Sequence, residues 1–242
     1  TMINDAPFSI DPALTGGQPW EPKNYDGKFD GPMSLRQALA KSKNMVSIRI
    51  LQSIGPRYAQ DYVTRFGFDA DRHPAYLTMA LGAGSVTPWQ MVGAYSVFAN
   101  GGYRVEPHLV SRITDASGKV LAMAHPGRAG DESQRAIDRR NAFIMNNLLR
   151  NVVRAGTATR ALSLKRGDLA GKTGTTNDSH DAWFAGYQPG VAAVAWMGFD
   201  QPRKLGDRET GGGLALPVWI AYMGKALAGM PERNPDPPEG VV

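Results

Sequence analysis

Residues 170–176, 182–187 and 191–199 form three short segments rich in small, β-branched and aromatic side chains, set so close together that only tight turns can join them. That spacing limits the fold more than any other feature of the chain. A parallel pair needs a crossover of a dozen or more residues, so these neighbours must run antiparallel. Helical patterns precede the meander, and one more, over residues 216–227, follows it. Helices, then a meander, then a closing helix predict an α/β chain of the α+β type, an antiparallel sheet flanked by helices.

Upstream the pattern is read element by element. Residues 1–33, rich in Pro, Gly, Asn and Asp, read as loop. Residues 33–54 carry helical spacing through Leu35, Leu39, Val46 and Ile50, interrupted at Ser42-Lys43-Asn44. A break between two helices at that point would expose the Ser42 and Asn44 side chains. Pro56 at a first helical position and Gly67 past the end bracket a short helix. Thr87-Pro88 opens another, with Met91, Tyr95 and Phe98 on one face and Gly101-Gly102 as its stop. Residues 105–123 read as a hairpin around Asp115-Ala116-Ser117-Gly118. Residues 134–154 predict a long helix buried along Ile137, Ile144, Leu148 and Val152, with Gly156 at its C-cap. Residues 201–213, including Gly211-Gly212-Gly213, read as a mobile loop, and residues 231–242 as a Pro-rich tail.

Composition narrows the function classes. The 242 residues are 42% apolar and 20% charged, a soluble globular balance. The apolar run at 191–199 is too short to cross a bilayer. Thr1-Met2-Ile3-Asn4-Asp5 lacks the basic and apolar regions of a signal peptide, so any targeting signal or anchor is expected to be absent or to lie on a removed segment. With no Cys, disulfides, thiolate catalysis and thiolate-held zinc are excluded. The net charge of +5 suits an acidic partner: nucleic acid, an anionic membrane face or a carboxylate-rich substrate. Lys and Arg are scattered and form no basic stripe interleaved with aromatics, which ranks nucleic acid below the other two. His73, His108, His125 and His180 are too dispersed for a metal pair at helical spacing. Gly82-x-Gly84-x-x-Thr87 lacks the third Gly and the βαβ setting of a dinucleotide loop. No cofactor is expected.

The chemistry concentrates in Gly171-Lys172-Thr173-Gly174-Thr175-Thr176. One reading is an exposed strand end with a solvated lysine. A phosphate loop would need Gly at position 166, which is Arg, and a helix where the polar Asn177-Asp178-Ser179-His180 follows. The third reading is a carboxylate-binding strand in an acyl-transfer cleft. There Lys172 supplies the charge, Thr173 and Thr175 each offer a hydroxyl, and Gly174 leaves room for a peptide to pair along the strand. A charge-assisted hydrogen bond contributes about 1.5–3 kcal/mol, so three such contacts would discriminate strongly for a free carboxylate.

Lys172-Thr173-Gly174 also resembles the third motif of penicillin-binding proteins and serine β-lactamases, and Ser42-x-Asn44 their second. Leu81-Gly82-Ala83-Gly84-Ser85-Val86-Thr87-Pro88 and Phe98-Ala99-Asn100-Gly101-Gly102 narrow the resemblance to the transpeptidase domain of class A, bifunctional penicillin-binding proteins. Arg154-Ala155-Gly156-Thr157-Ala158 and Asp181-Ala182-Trp183-Phe184-Ala185-Gly186-Tyr187 do the same, and the likeness runs over most of residues 20–230. It implies the β-lactamase-like transpeptidase fold over residues 1–230, with residues 231–242 as a C-terminal tail.

The resemblance implies a D,D-transpeptidase of peptidoglycan synthesis. A serine attacks the D-alanyl-D-alanine of a stem peptide, D-alanine leaves, and an amine of a neighbouring stem takes the acyl group. The partners implied are stem peptides and β-lactam antibiotics, and the setting is periplasmic, on a protein anchored in the inner membrane. By motif, Ser42 passes a proton to the leaving amine, Asn44 holds the substrate amide and orients the first-motif Lys, and Lys172 keeps the cleft positive. Thr173 binds the terminal carboxylate, Gly174 leaves the strand open, and Thr175 gives its hydroxyl and an oxyanion-hole N–H. No Ser or Thr in the chain has a Lys three positions on. The resemblance places that first motif before residue 1, along with a glycosyltransferase domain and membrane anchor, so this chain alone is expected to be inactive. Alternatives are a D,D-carboxypeptidase or β-lactamase, where water replaces the acceptor amine, and a non-catalytic β-lactam sensor.

Overall fold

The computed structural model describes residues 1–10 and 19–241. At its centre β5 (Ala170–Thr175), β6 (Ala182–Gln188) and β7 (Val191–Met197) form an antiparallel sheet in the order β5-β6-β7. The meander expected from the spacing is therefore present, with β5 and β7 slightly shorter and β6 one residue longer than expected. Lys172 pairs with Ala185 and Gly174 with Trp183, so Ala170, Lys172 and Gly174 share one face with Tyr187, Ala185 and Trp183. Gly171, Thr173 and Thr175 look out from the other face beside Gly186, Phe184 and Ala182.

Helices cover both faces. α5 (Arg139–Ala155) lies on the first, where Leu149, Ala170 and Tyr187 form a buried cluster. α6 (Leu216–Ala226) closes the second through Leu216, Trp219 and Met223 around Phe184. The paired glycines Gly171 and Gly186 leave the space that the Phe184 ring fills, and a Cβ on either would come within 2.7 Å of that ring. Trp219 meets Phe184 edge-on at 4.9 Å between ring centres. The first glycine of the Lys-Thr-Gly segment thus serves the core.

Several expectations change here. Residues 1–33 are not all loop: β1 (Met2–Asp5) pairs antiparallel with β2 (Gly31–Ser34). Four-residue strands with partners so far apart in sequence leave no local periodicity to read. The long helix begins at Arg139 rather than 134, because Asp138 caps it and the preceding segment is drawn away by hydrogen bonds from Ala136 and Ile137 to the Gly102 carbonyl. Its buried stripe is Ala142, Asn146, Leu149, Val152 and Val153, and Ile144 is exposed. Asn146 can occupy the stripe because its side chain accepts from the Tyr187 hydroxyl at 3.1 Å. The hairpin around Asp115 is confined to β3 (Arg112–Thr114) and β4 (Val120–Met123).

The other helices follow the expected punctuation. α1 (Leu35–Lys41) and α2 (Asn44–Ile54) flank the Ser42-Lys43 break, and α3 (Pro56–Val63) starts at its proline. Ser34 and Gln37 form a capping box at the start of α1. Thr87 and Gln90 do the same for α4 (Pro88–Ala99). Gly211–Ala215, within the segment read as a mobile loop, is a π-helical turn packed onto the sheet, where a side chain at Gly211 would collide with the carbonyls of Trp183 and Gly174. After α6 the tail returns to the sheet. Buried Asp168 accepts from Arg166 at 2.9 Å, Gln188 at 3.1 Å and the Arg233 backbone at 3.0 Å, and Arg150 reaches Asn234 at 2.6 Å.

Candidate active site

α1 ends at Ser42, whose backbone turns left-handed at φ 56°, ψ 50° while its N–H caps the Ala38 and Leu39 carbonyls. For a residue with a Cβ this conformation costs about 1–2 kcal/mol. Lys43 then returns to extended backbone and α2 begins at Asn44. The reversal leaves Ser42 exposed at the tip of the junction. Asn44 sends its side-chain amide to the Lys23 carbonyl at 2.8 Å. The Lys43 ammonium is buried instead against Asp5, Asp26 and Asp30.

The end of α1 is brought to β5 by the end of α5. Thr157 donates its N–H to the Ala40 carbonyl at 3.1 Å. Gly156 makes that approach possible, since any side chain there would strike the same carbonyl. β5 then runs past the junction. Lys172 donates to the Ser42 hydroxyl at 2.8 Å, to the Thr173 carbonyl at 2.9 Å and, more weakly, to the Thr173 hydroxyl at 3.4 Å. No carboxylate among the described residues forms an ion pair with it. Desolvation of the Lys172 ammonium lowers its pKa to about 8.

The threonines are tied in as well. The Thr173 and Thr157 hydroxyls are 2.6 Å apart, and the Thr175 hydroxyl accepts from the Gly211 N–H at 3.1 Å. Gly174 faces the Trp183 side chain, where a Cβ would come within 3.2 Å. Of the residues singled out from sequence, Ser42, Lys172 and Thr173 form one hydrogen-bonded group. Thr175 adjoins it along the strand, and Asn44 is engaged with Lys23. Thr157 was missed as a site residue. Its signal is its place directly after Gly156, where a C-cap glycine ends α5 and the next side chain must emerge at the strand.

Chemically the group could handle a proton and bind an anion. An ammonium can only donate, so Ser42 accepts from Lys172 and keeps its own proton for another acceptor. Lys172 and Thr157 can together fill both lone pairs of the Thr173 hydroxyl, which would direct its proton outward. An unpaired cation beside two hydroxyls suits a carboxylate.

Comparison with known proteins agrees with the geometry. The family model described as the penicillin binding protein transpeptidase domain matches residues 2–218. Penicillin-binding protein 1A of Neisseria flavescens is 52% identical over 242 residues, covering 100% of this chain and 30% of that protein. Penicillin-binding protein 1A of Pseudomonas aeruginosa is 43% identical, covering 100% of this chain and 35% of that protein. A crystal structure of penicillin-binding protein 1A from Haemophilus influenzae superposes with a TM-score of 0.91 at 37% identity, over 98% of this chain and 40% of that one. PonA1 from Mycobacterium tuberculosis in complex with penicillin V gives 0.80 at 25% identity, over 98% and 66%. The chain thus spans about a third of the length of these penicillin-binding protein 1A relatives. With the family model matched across most of the chain and the Ser42-Lys172-Thr173 group in place, the chain belongs to the penicillin-binding protein transpeptidase domain family.

Proposed function

We propose that these residues form the proton-relay and carboxylate-binding wall of a D,D-transpeptidase that cross-links peptidoglycan stem peptides through a serine acyl-enzyme. The observation that carries this reading is the Lys172–Ser42 hydrogen bond with the Thr157–Thr173 hydroxyl pair beside it. Lys172 and Thr173 attract the terminal carboxylate of the donor peptide. Ser42 hands its proton to the departing amine and is recharged by way of Lys172. Thr175 contributes its backbone N–H to the developing oxyanion.

The attacking serine is supplied by a Ser-x-x-Lys elsewhere in the same protein, since no such spacing occurs in these 242 residues. The outer edge of β7 is unpaired among the described strands. It adjoins an apolar groove of about 550 Å³ bounded by Trp89, Val92, Trp196, Val218 and Tyr222. Further chain of the same protein is the occupant that fits a free strand edge beside an apolar floor. On this reading the protein works outside the cytoplasmic membrane, where its substrate is, and is held there by an anchor in another part. No helix among the described residues is long and apolar enough to span a bilayer.

Intact-mass spectrometry of the full-length protein after exposure to a penicillin tests the proposal. One equivalent of adduct is expected, on a serine outside this chain, and none on the 242-residue chain by itself. An adduct on the isolated chain would move the nucleophile into it. A full-length protein that takes no adduct would end the transpeptidase reading.

A further inference from the structure

The middle residue of Ser42-Lys43-Asn44 plays no part in the reading above, yet its whole side chain is buried, at 4% exposure. Its ammonium lies 3.3 Å from Asp5, 3.4 Å from Asp30 and 3.5 Å from Asp26, and donates to the Lys28 carbonyl at 3.2 Å. Asp5 is itself fully buried. A buried ion cluster gains little stability over an apolar filling, and its best-attested use is to fix one geometry among several.

The geometry here is that of the start of α2. Lys43 occupies the N-cap position but has no acceptor to offer the first N–H groups of the helix. Asn24 caps the helix from a distance: its carbonyl oxygen accepts from the Asn44 N–H at 2.9 Å and from the Met45 N–H at 3.4 Å. The Asn24 amide in turn donates to Asp5 at 2.8 Å and to the Lys28 carbonyl at 2.7 Å. Asp5 also accepts from the Asp30 N–H at 2.9 Å. β1, the segment around Asn24–Asp30 and the helix junction are thereby fastened at one point. That point lies one residue beyond the left-handed Ser42, a backbone state that persists only where its surroundings impose it.

We propose that Asp5, Asn24 and Lys43 act together as positioning residues for Ser42 and Asn44, holding the junction in the conformation that carries the Ser42 hydroxyl to Lys172. Its catalytic consequence rests on the transpeptidase reading; its structural content does not.

The test uses the full-length protein with ¹⁵N-labelled lysine, in wild-type, Lys43→Met and Lys43→Arg forms, each measured well below its melting temperature. In Lys43→Met the Lys172 titration is expected to move up from about 8 toward the ordinary lysine range, because an ammonium no longer covered by Ser42 is rehydrated. Acylation by a penicillin is expected to slow tenfold or more. Lys43→Arg keeps a cation among the three carboxylates and is expected to retain most of both wild-type properties. A folded Lys43→Met protein whose Lys172 titrates as in wild type overturns the proposal, whatever its activity. If Lys43→Met does not fold, Asn24→Ala replaces it, which removes both the acceptor offered to α2 and the donor to Asp5. The same upward shift is expected there, and a wild-type titration again overturns the proposal. A shifted Lys172 in a protein whose wild type takes no penicillin would remove the transpeptidase reading and leave the positioning role standing.

Discussion

The Ser42 hydroxyl and the Lys172 ammonium lie 2.8 Å apart although 130 residues separate them in the chain. Burial lowers the Lys172 pKa to about 8, so it gives up its proton more readily than an ordinary lysine. The pair can therefore pass a proton in either direction near neutrality, which a strongly ion-paired lysine could not do. The absence of an ion-paired carboxylate among the described residues and the burial of the ammonium are two sides of that one arrangement.

Lys172→Ala in the full-length protein is expected to slow acylation at least tenfold, which corresponds to about 1.4 kcal/mol of transition-state stabilisation. Stopped-flow measurement with a chromogenic β-lactam checks this. An unchanged rate would take Lys172 out of the reaction.

The same lysine sets a pH dependence of stability. Its folded-state pKa of about 8 lies below the ordinary 10.5, so between those values the unfolded chain binds more protons than the folded one. Relative to Lys172→Met, the wild type is expected to gain stability as pH rises from about 8 to 10.5, with the full cost of the buried charge present below pH 8. Paired thermal melts across that range give the difference directly, and parallel curves would refute it.

Thr157→Val keeps the shape of the side chain and removes the hydroxyl that meets Thr173. Peptide donors ending in a free carboxylate are expected to lose several-fold in kcat/KM, about 1 kcal/mol, while carboxamide-ended donors lose little. Equal losses on both donors would point to a general disturbance instead.

Gly156→Ala puts a methyl group against the Ala40 carbonyl and within 2.8 Å of the Val152 carbonyl. These are backbone atoms, which cannot rotate out of the way as a side chain could. The cost is expected near the upper end of the roughly 1–3 kcal/mol typical of overpacking, read as a lowered denaturant midpoint.

The sequence showed most where local signals were strong. The break at Ser42-Lys43-Asn44, the Pro starts of α3 and α4 and the meander of β5, β6 and β7 were all legible, because capping residues and short connections act over a few positions. The likeness of Lys172-Thr173-Gly174 and Ser42-x-Asn44 to known motifs anticipated the family, whereas the bond between Lys172 and Ser42 is visible only in the folded structure. What stayed hidden depends on distant partners. β1 and β2 are strands only by virtue of each other. Asn146 reads as surface until Tyr187 satisfies it, and Ile144 reads as core until the helix phase is known. Asn24 looks like a loop residue until it is seen capping a helix that begins 20 positions later.

The return of the tail to Asp168 bears on how the protein can be cut and joined. A protease nick or an inserted linker between Leu227 and Arg233 would free the latch and leave a buried carboxylate short of one donor, beside the strand that leads into Lys172. Damage far from the cleft would then reach it through the base of β5, and extensions grafted onto the C-terminal side are safest beyond Asn234, the last residue Arg150 holds.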